Sequence, residues 1–197
     1  EESPAEAGPS FRELGLNKAI VATLDKLGIA TPFPIQSMTI ADALAGRDVC
    51  GKAKTGSGKT LAFGLPVIQR TTTAKKRRPR SLILVPTREL ANQVADALTP
   101  FAAATELWVT AIYGGASMVR QIKALHAGVD IVIATPGRLN DLLERKEMSV
   151  DDVTMVVLDE ADQMADMGFL PQVREILDRI PGEHQTLLFS ATLDGSI

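Results

Sequence analysis

Short apolar runs alternate with amphipathic segments along most of the chain. The runs at 48–53, 81–85, 107–112, 130–134, 155–159 and 186–190 predict six strands. Residues 82–85 are all apolar, which is typical of a parallel strand covered by helices on both faces. The segment at 88–101 has helical periodicity, with an apolar face formed by Leu90, Val94, Ala97, Leu98 and Phe101. The pattern predicts a single α/β domain with an open parallel sheet flanked by helices on both faces.

This architecture makes the residues that follow each strand the candidates for chemistry. Ligands of open parallel sheets bind beyond the carboxyl ends of the strands. Residues 1–10 precede the first periodic segment and are rich in Pro, Gly and acidic groups, which predicts a flexible leader. We expect the folded domain to cover residues 11–197.

Composition narrows the class of protein. The chain has 197 residues, of which 45% are hydrophobic, which suits one domain. Its net charge of −3 offers no bulk attraction to nucleic acid, so any such contact must be local. Cys50 is the sole cysteine, which excludes an internal disulfide, and we expect it to be a small buried hydrophobe. No stretch approaches the roughly 20 apolar residues of a membrane span, and His126 and His184 lack neighbours at metal-ligand spacing.

A glycine-containing loop lies between the first predicted strand and a helical segment. It reads Ala53-Lys54-Thr55-Gly56-Ser57-Gly58-Lys59-Thr60. Gly56 and Gly58 let backbone N–H groups curl around phosphate oxygens, and the following helix adds its partial positive charge. Lys59 can reach the β- and γ-phosphates of a nucleotide, and the Thr60 hydroxyl can bind Mg²⁺. The loop predicts a nucleotide site, although Ala53 stands where the general pattern has Gly.

An acidic run, Asp159-Glu160-Ala161-Asp162, ends the fifth predicted strand. Asp159 suits the holding of Mg²⁺ through its water shell. Glu160 can polarise an attacking water as general base. Carboxylates at the end of a buried strand are costly unless they bind something, which disfavours an incidental acidic turn.

The run D-E-A-D and the loop A-K-T-G-S-G-K-T together resemble the DEAD-box RNA helicases, whose loop pattern is A-x-T-G-x-G-K-T. Ala53 agrees with this narrower pattern. The resemblance extends from Phe11 to Ile197 and implies a RecA-like fold, ATP and Mg²⁺ as ligands, and RNA as a partner. It implies catalytic roles for Lys59, Asp159 and Glu160, a metal site at Thr60 and Asp159, and nucleotide contacts from Thr55, Gly56, Ser57, Gly58, Lys59 and Thr60.

Residues 28–36 resemble the Q motif of the family. The resemblance implies that the Gln36 carboxamide bonds both a donor and an acceptor on adenine. It also implies that Phe11, seventeen residues before Gly28, stacks on the base. By residue type alone, Gln36 is a surface glutamine and Phe11 a core residue. Phe33 stands where many members have Thr or Ser, so a contact made by that hydroxyl is in question.

Further motifs follow other predicted strands in the family's order. They imply RNA contacts from Pro86, Thr87, Arg88, Gly114, Gly115, Thr135, Gly137 and Arg138. Hydroxyl, guanidinium and backbone N–H groups can hold phosphates without reading bases, so we expect sequence-nonspecific binding of single strands. Ser190 and Thr192, after the last strand, are implied to couple nucleotide state to strand separation through Asp162.

The family's second RecA-like domain supplies arginine fingers and half of the RNA groove, and we expect residues 11–197 to form only the first of the two domains. An arginine finger contributes about 10³ to 10⁵ in rate. We expect the parent to unwind or remodel RNA with ATP, and this chain, as a monomer, to bind nucleotide with weak or no unwinding. A DNA translocase of another branch and a non-catalytic RNA clamp are the alternatives.

A basic segment at 71–80 ends in Lys75-Lys76-Arg77-Arg78-Pro79-Arg80. We favour a solvated loop, with an RNA-phosphate patch or a targeting signal as alternatives. The expected location is bacterial cytoplasm, and the basic run leaves a nuclear location open.

Overall fold

The six apolar runs form one parallel sheet in the computed structural model, which describes residues 8–195 and 197. The strands are β1 (Val49–Lys52), β2 (Ser81–Leu84), β3 (Val109–Ile112), β4 (Ile131–Ala134), β5 (Met155–Asp159) and β6 (Gln185–Ser190). Their order across the sheet is β1-β6-β5-β2-β4-β3. The predicted open parallel sheet is confirmed.

Helices cover both faces of the sheet. Within the described residues they are α1 (Lys18–Lys26), α2 (Pro34–Leu44), α3 (Lys59–Arg70), α4 (Arg88–Ala104), α5 (Met118–Ala127), α6 (Pro136–Glu144), α7 (Ala161–Asp166) and α8 (Leu170–Asp178). Ile83 packs with residues of α1 to α4, and its neighbours Leu82 and Leu84 pack with residues of α5 to α8. Because side chains alternate along a strand, β2 must be apolar throughout to serve two cores.

The predicted helix at 88–101 forms as α4. The Thr87 side chain accepts the Leu90 N–H and caps its first turn. Val94, Leu98 and Phe101 of its apolar face are buried. None of the helices in the described part of the chain has the length and apolar character that a membrane crossing requires.

The predicted leader at 1–10 and the predicted start of the domain at Phe11 stay predictions. Residues 1–7 of the predicted leader lie outside the described residues, and residues 8–10 are exposed without helix or strand. Phe11 is the first buried residue of the described part, at 4% exposure. Its packing in the core matches the interpretation by residue type.

Cys50 is exposed, so its interpretation as a buried hydrophobe is wrong. The reason is the place of β1 at the edge of the sheet. Only Gly51 of this strand is buried, and a Cβ there would overlap the Phe189 ring. An apolar run next to the phosphate loop indicates a strand but not whether that strand is central.

Gly64 sets the distance between α3 and α4. A Cβ at this position would overlap the buried Leu98 side chain. Gly137, in the first turn of α6, has nothing within 4 Å of an added Cβ. Gly64 and Gly137 can therefore serve as test position and control for the effect of an added methyl group.

Gly64→Ala should lower the free energy of unfolding by about 1 to 3 kcal/mol, because the added methyl overpacks the helix interface. Gly137→Ala should leave it unchanged or raise it by up to about 1 kcal/mol through helix propensity. Urea unfolding followed by circular dichroism measures both, and equal changes would contradict the close packing of α3 on α4.

Candidate functional site

The sheet order sorts the strand ends into two groups. Strands β1, β6 and β5 are neighbours, and they carry the loop 53–60, residues 190–192 and the acidic run 159–162. Strands β2, β4 and β3 are also neighbours, and they carry residues 86–88, 135–138 and 113–115. Each group of predicted site residues thus shares one half of the carboxyl edge.

The loop between β1 and α3 has the conformation that its glycines predict. Gly56 and Gly58 have φ of 82° and 85°, in the left-handed region that favours glycine. Gly58 caps α3, which begins at Lys59. A Cβ at Gly58 would lie 2.5 Å from Phe33 Cδ2 and 2.7 Å from Gln36 Nε2, so space also requires glycine.

Lys59 lies between two buried carboxylates. Its Nζ is 3.0 Å from Asp159 Oδ1 and donates a hydrogen bond to Glu160 Oε1. Thr55 Oγ1 also donates to Glu160 Oε1, at 3.4 Å. Burial lowers the pKa of Lys59, but the two carboxylates outweigh this and hold it above its ordinary value. Burial raises the pKa of Asp159, and Lys59 opposes that rise.

Asp159 has an oxygen that can accept another partner. Lys59 approaches Oδ1 outside hydrogen-bond geometry, so among the described residues this buried atom has no hydrogen-bond partner. No group of three or more His, Cys, Asp or Glu side chains is arranged to hold a metal ion within the described ranges. A cation here would complete its shell with phosphate oxygens and water, as Mg²⁺ commonly does beside nucleotides. The donor set, with Thr60 in the first turn of α3, fits Mg²⁺.

Glu160 stands in a strained turn between β5 and α7. Its φ is +54°, which costs about 1 kcal/mol or more for a residue other than glycine. The bonds from Lys59 and Thr55 hold its carboxylate under the phosphate loop. The turn directs the side chains of the adjacent residues Asp159 and Glu160 to the same cation, the Lys59 ammonium group.

Gln36 and Phe33 of the Q motif lie beside the phosphate loop, whereas Phe11 lies in the core. Gln36 is buried, its Oε1 accepts the Phe33 N–H at 2.8 Å, and its Nε2 donates to the Gly58 carbonyl at 2.9 Å. Gln36 therefore links the start of α2 to the phosphate loop, and is not the surface glutamine of its residue type. The Phe11 ring is enclosed in the core, so base stacking stays a prediction. Phe33 is 55% exposed beside Gly58, a contact that no sequence signal indicates.

The second group of strand ends gathers two arginines. The Arg88 guanidinium lies 5.2 Å from the Tyr113 ring centroid. Arg138 Nη1 donates to the Ala116 carbonyl at 3.2 Å and to Gln121 Oε1 at 3.0 Å. Gln121 in turn donates to the Tyr113 carbonyl at 3.0 Å. Tyr113 and Gln121, which the motifs did not single out, orient the predicted residues.

The remaining predicted residues of this group surround two helix starts. Thr87 and Thr135 are the N-caps of α4 and α6. Gly114, Gly115 and Gly137 are exposed, and Pro86 is buried. Two helix N-termini at one edge present N–H groups and partial positive charge to an anion.

Residues 190–192 contact the acidic run as predicted. The Asp162 backbone N–H donates to Ser190 Oγ at 3.1 Å, and Thr192 Oγ1 donates to Asp162 Oδ2 at 3.2 Å. Burial opposes ionisation of Asp162, but hydrogen bonds involving Ser190, Gln163 and Thr192 outweigh it and hold its pKa below the ordinary value. These contacts join the ends of β5 and β6.

Comparison with known proteins relates the whole arrangement to one family. The family model for the DEAD/DEAH box helicase matches residues 33–197. The DEAD-box ATP-dependent RNA helicases CshA from two strains of Streptococcus pneumoniae are each 46% identical over 187 residues, which is 95% of this chain and 36% of each relative. The chain thus spans about a third of the length of these relatives.

The fold agrees. The crystal structure of a DEAD box protein from the hyperthermophile Methanococcus jannaschii matches with a TM-score of 0.89 and 38% identity, over 94% of this chain and 50% of that one. Its likeness covers the six-stranded parallel sheet and the helices on both faces. The chain belongs to the DEAD/DEAH box helicase family.

Proposed function

We propose that this chain is the ATP-binding first domain of a DEAD-box RNA helicase. Its parent would couple ATP binding and hydrolysis to the unwinding or remodelling of RNA duplexes. The observation that carries the proposal is the contact of Lys59, in the phosphate loop, with Asp159 and Glu160. The streptococcal relatives support it, because they are named as ATP-dependent RNA helicases.

Lys59 serves the nucleotide by exchanging partners. In the protein alone it pairs with the two carboxylates, and with ATP it binds the β- and γ-phosphates instead. Glu160 then accepts a proton from the attacking water. Asp159 and Thr60 would hold Mg²⁺, which when bound neutralises charge on the phosphates.

The half of the edge formed by β2, β4 and β3 serves RNA. Arg88, Arg138 and the N–H groups at the starts of α4 and α6 suit phosphates and not bases, so binding is sequence-nonspecific. Asp162 lies in the first turn of α7, after β5, and contacts Ser190 and Thr192 at the end of β6. β5 neighbours both β6 and β2. This position supports the coupling role.

The parent's second RecA-like domain would complete both sites. The relatives are longer than this chain, which supports such a domain. It would supply arginine fingers and half of the RNA groove. The chain by itself is expected to be a monomer, and a bacterial cytoplasmic location stays a prediction.

Lys59→Met should lower the free energy of unfolding by about 3 to 5 kcal/mol at pH 8, because two buried carboxylates lose their cation. Part of this loss should be recovered as the pH falls toward about 5. Without Lys59 the folded-state pKa of Asp159 rises further above its unfolded value. The folded state then binds more protons than the unfolded state, so stability decreases as pH rises.

Urea unfolding between pH 5 and 8 tests this, with Lys54→Met as the control. Lys54 is an exposed lysine of the same loop, and among the described residues it forms no ion pair. Its variant should follow the wild-type pH dependence. Equal pH slopes for the two variants would contradict the charge compensation.

Gln36→Ala should weaken ATP binding by about tenfold to thirtyfold, because the two proposed hydrogen bonds to adenine are lost. GTP binding should fall less, since guanine presents a different edge and loses only the support that Gln36 gives to Gly58. Titration calorimetry measures both nucleotides, and thermal unfolding shows whether the link to Gly58 is needed for folding. Lys59→Ala is the comparison variant, and it should weaken the binding of ATP and of GTP to a similar degree. Equal losses in the Gln36 variant would refute the adenine role.

The chain alone should hydrolyse ATP slowly and leave short RNA duplexes annealed, because a missing arginine finger lowers the rate by about 10³ or more. Phosphate release with and without RNA, together with a strand-displacement assay, measures this. Robust RNA-stimulated hydrolysis that Lys59→Ala abolishes would overturn the need for a second domain. Stimulation of the parent by DNA as strongly as by RNA would favour a DNA translocase.

A further inference from the structure

A basic cavity of about 480 Å³ lies at the edge of the sheet where the strands begin, opposite the candidate site. Its lining includes Lys76, Arg77, Arg78, Lys146 and Arg179, and Asp151 is the one carboxylate that the described residues contribute. These residues come from the segments that precede β2, β5 and β6, which are neighbours in the sheet. The fold therefore gathers positive charge from three distant parts of the sequence.

Three of these cations lack a carboxylate partner. Arg78 pairs with Asp152 through bonds of 2.8 and 2.9 Å, and Arg179 lies 3.5 Å from Glu175. In the described part of the chain Lys76, Arg77 and Lys146 form no ion pair with a carboxylate. Arg77 Nη2 instead lies 3.4 Å from His126 Nδ1. A concave surface lined mainly by cations concentrates anions, and the net charge of −3 makes this cluster a local exception.

Two of the unpaired cations occupy strained backbone. Arg77 and Lys146 have φ of 62° and 59°, a region in which glycine is the favoured residue. Lys146 follows the end of α6, where its N–H donates to the Leu143 carbonyl in the kind of turn that commonly uses glycine. Glycine would fit both positions with less strain, so replacing each residue with glycine removes a cation without adding backbone strain.

The basic segment is held in place by its backbone. The Arg77 N–H donates to the Leu125 carbonyl at 3.0 Å, and the Arg77 carbonyl accepts the Ser149 N–H at 2.8 Å. The Arg80 carbonyl accepts the Thr154 N–H at 2.9 Å. The segment is a loop with exposed side chains at Lys75, Lys76 and Arg77, as the favoured interpretation predicts, and these backbone bonds anchor it.

We propose that the basic cavity binds backbone phosphates of RNA as a second contact, separate from the carboxyl edge. The proposal rests on the proposed function in that RNA is the partner. The lining offers ammonium and guanidinium groups, the apolar side chains of Leu143, Met148 and Val150, and no aromatic ring on which a base could stack. Such a site holds phosphates without selecting sequence.

The test is the double variant Arg77→Gly with Lys146→Gly, which removes two cations and relieves the strain. Its melting temperature should rise by about 2 to 4 °C. Its affinity for a fluorescent single-stranded oligouridine, measured by anisotropy, should fall about threefold to tenfold at about 50 mM salt, and the slope of log K against log salt should become shallower by about 1.4. Lys18→Ala with Lys26→Ala removes the same charge from exposed positions of α1 and should bind like wild type.

Unchanged RNA affinity in the glycine variant would overturn the proposal, and so would an equal loss in the α1 control. Binding of fluorescent polyglutamate is measured in the same way. If the glycine variant loses polyglutamate binding but keeps RNA binding, the proposal is overturned in favour of an acidic protein partner. Arg88→Ala distinguishes the cavity proposal from the proposed function, because it removes a predicted RNA contact at the carboxyl edge and leaves the cavity unchanged. If it weakens RNA binding while the glycine variant does not, the cavity proposal fails and the proposed function stands. If neither variant changes RNA binding, the RNA role itself fails.

Discussion

One buried lysine between two buried carboxylates organises the molecule. Lys59 comes from the loop after β1, and Asp159 and Glu160 come from the end of β5, with β6 between the two strands. Buried charges are tolerated only when they are paired. The cluster has one negative charge more than its lysine can balance, and within the described part of the chain Asp159 Oδ1 lacks a hydrogen-bond partner. Both features suit a site that gains a divalent cation together with phosphates.

The order of the strands places this cluster in one of two groups of motifs along the carboxyl edge of the sheet. Motifs that alternate along the chain separate into one group on β1, β6 and β5 and another on β2, β4 and β3. β5 and β2 are adjacent at the boundary, and the Asp162 contacts with Ser190 and Thr192 join the ends of β5 and β6. The residues predicted to couple the two groups thus lie one strand away from the second group.

The two edges of the sheet differ in what their cations contact. At the carboxyl edge, helix N-termini and arginines reinforce one another for anions. At the amino edge, the ends of α6 and α8 carry partial negative charge, which accounts for some nearby cations such as Arg179. Arg77 also lies at a helix end, because its N–H donates to the Leu125 carbonyl in the last turn of α5. The basic cavity is distinguished by the cations from three segments that line one concave surface.

The sequence by itself determined the strands, the phosphate loop and the acidic strand end, because apolar runs, glycine positions and a Lys-Thr helix start act through neighbours a few residues away. Only the tertiary structure decided that β1 is an edge strand with Cys50 exposed, and that Gln36 and Phe33 contact Gly58. The support of Arg88 by Tyr113 and the anchoring of the basic segment were likewise decided by the fold. These contacts depend on which strands and loops lie side by side, and local sequence patterns carry no signal for that order.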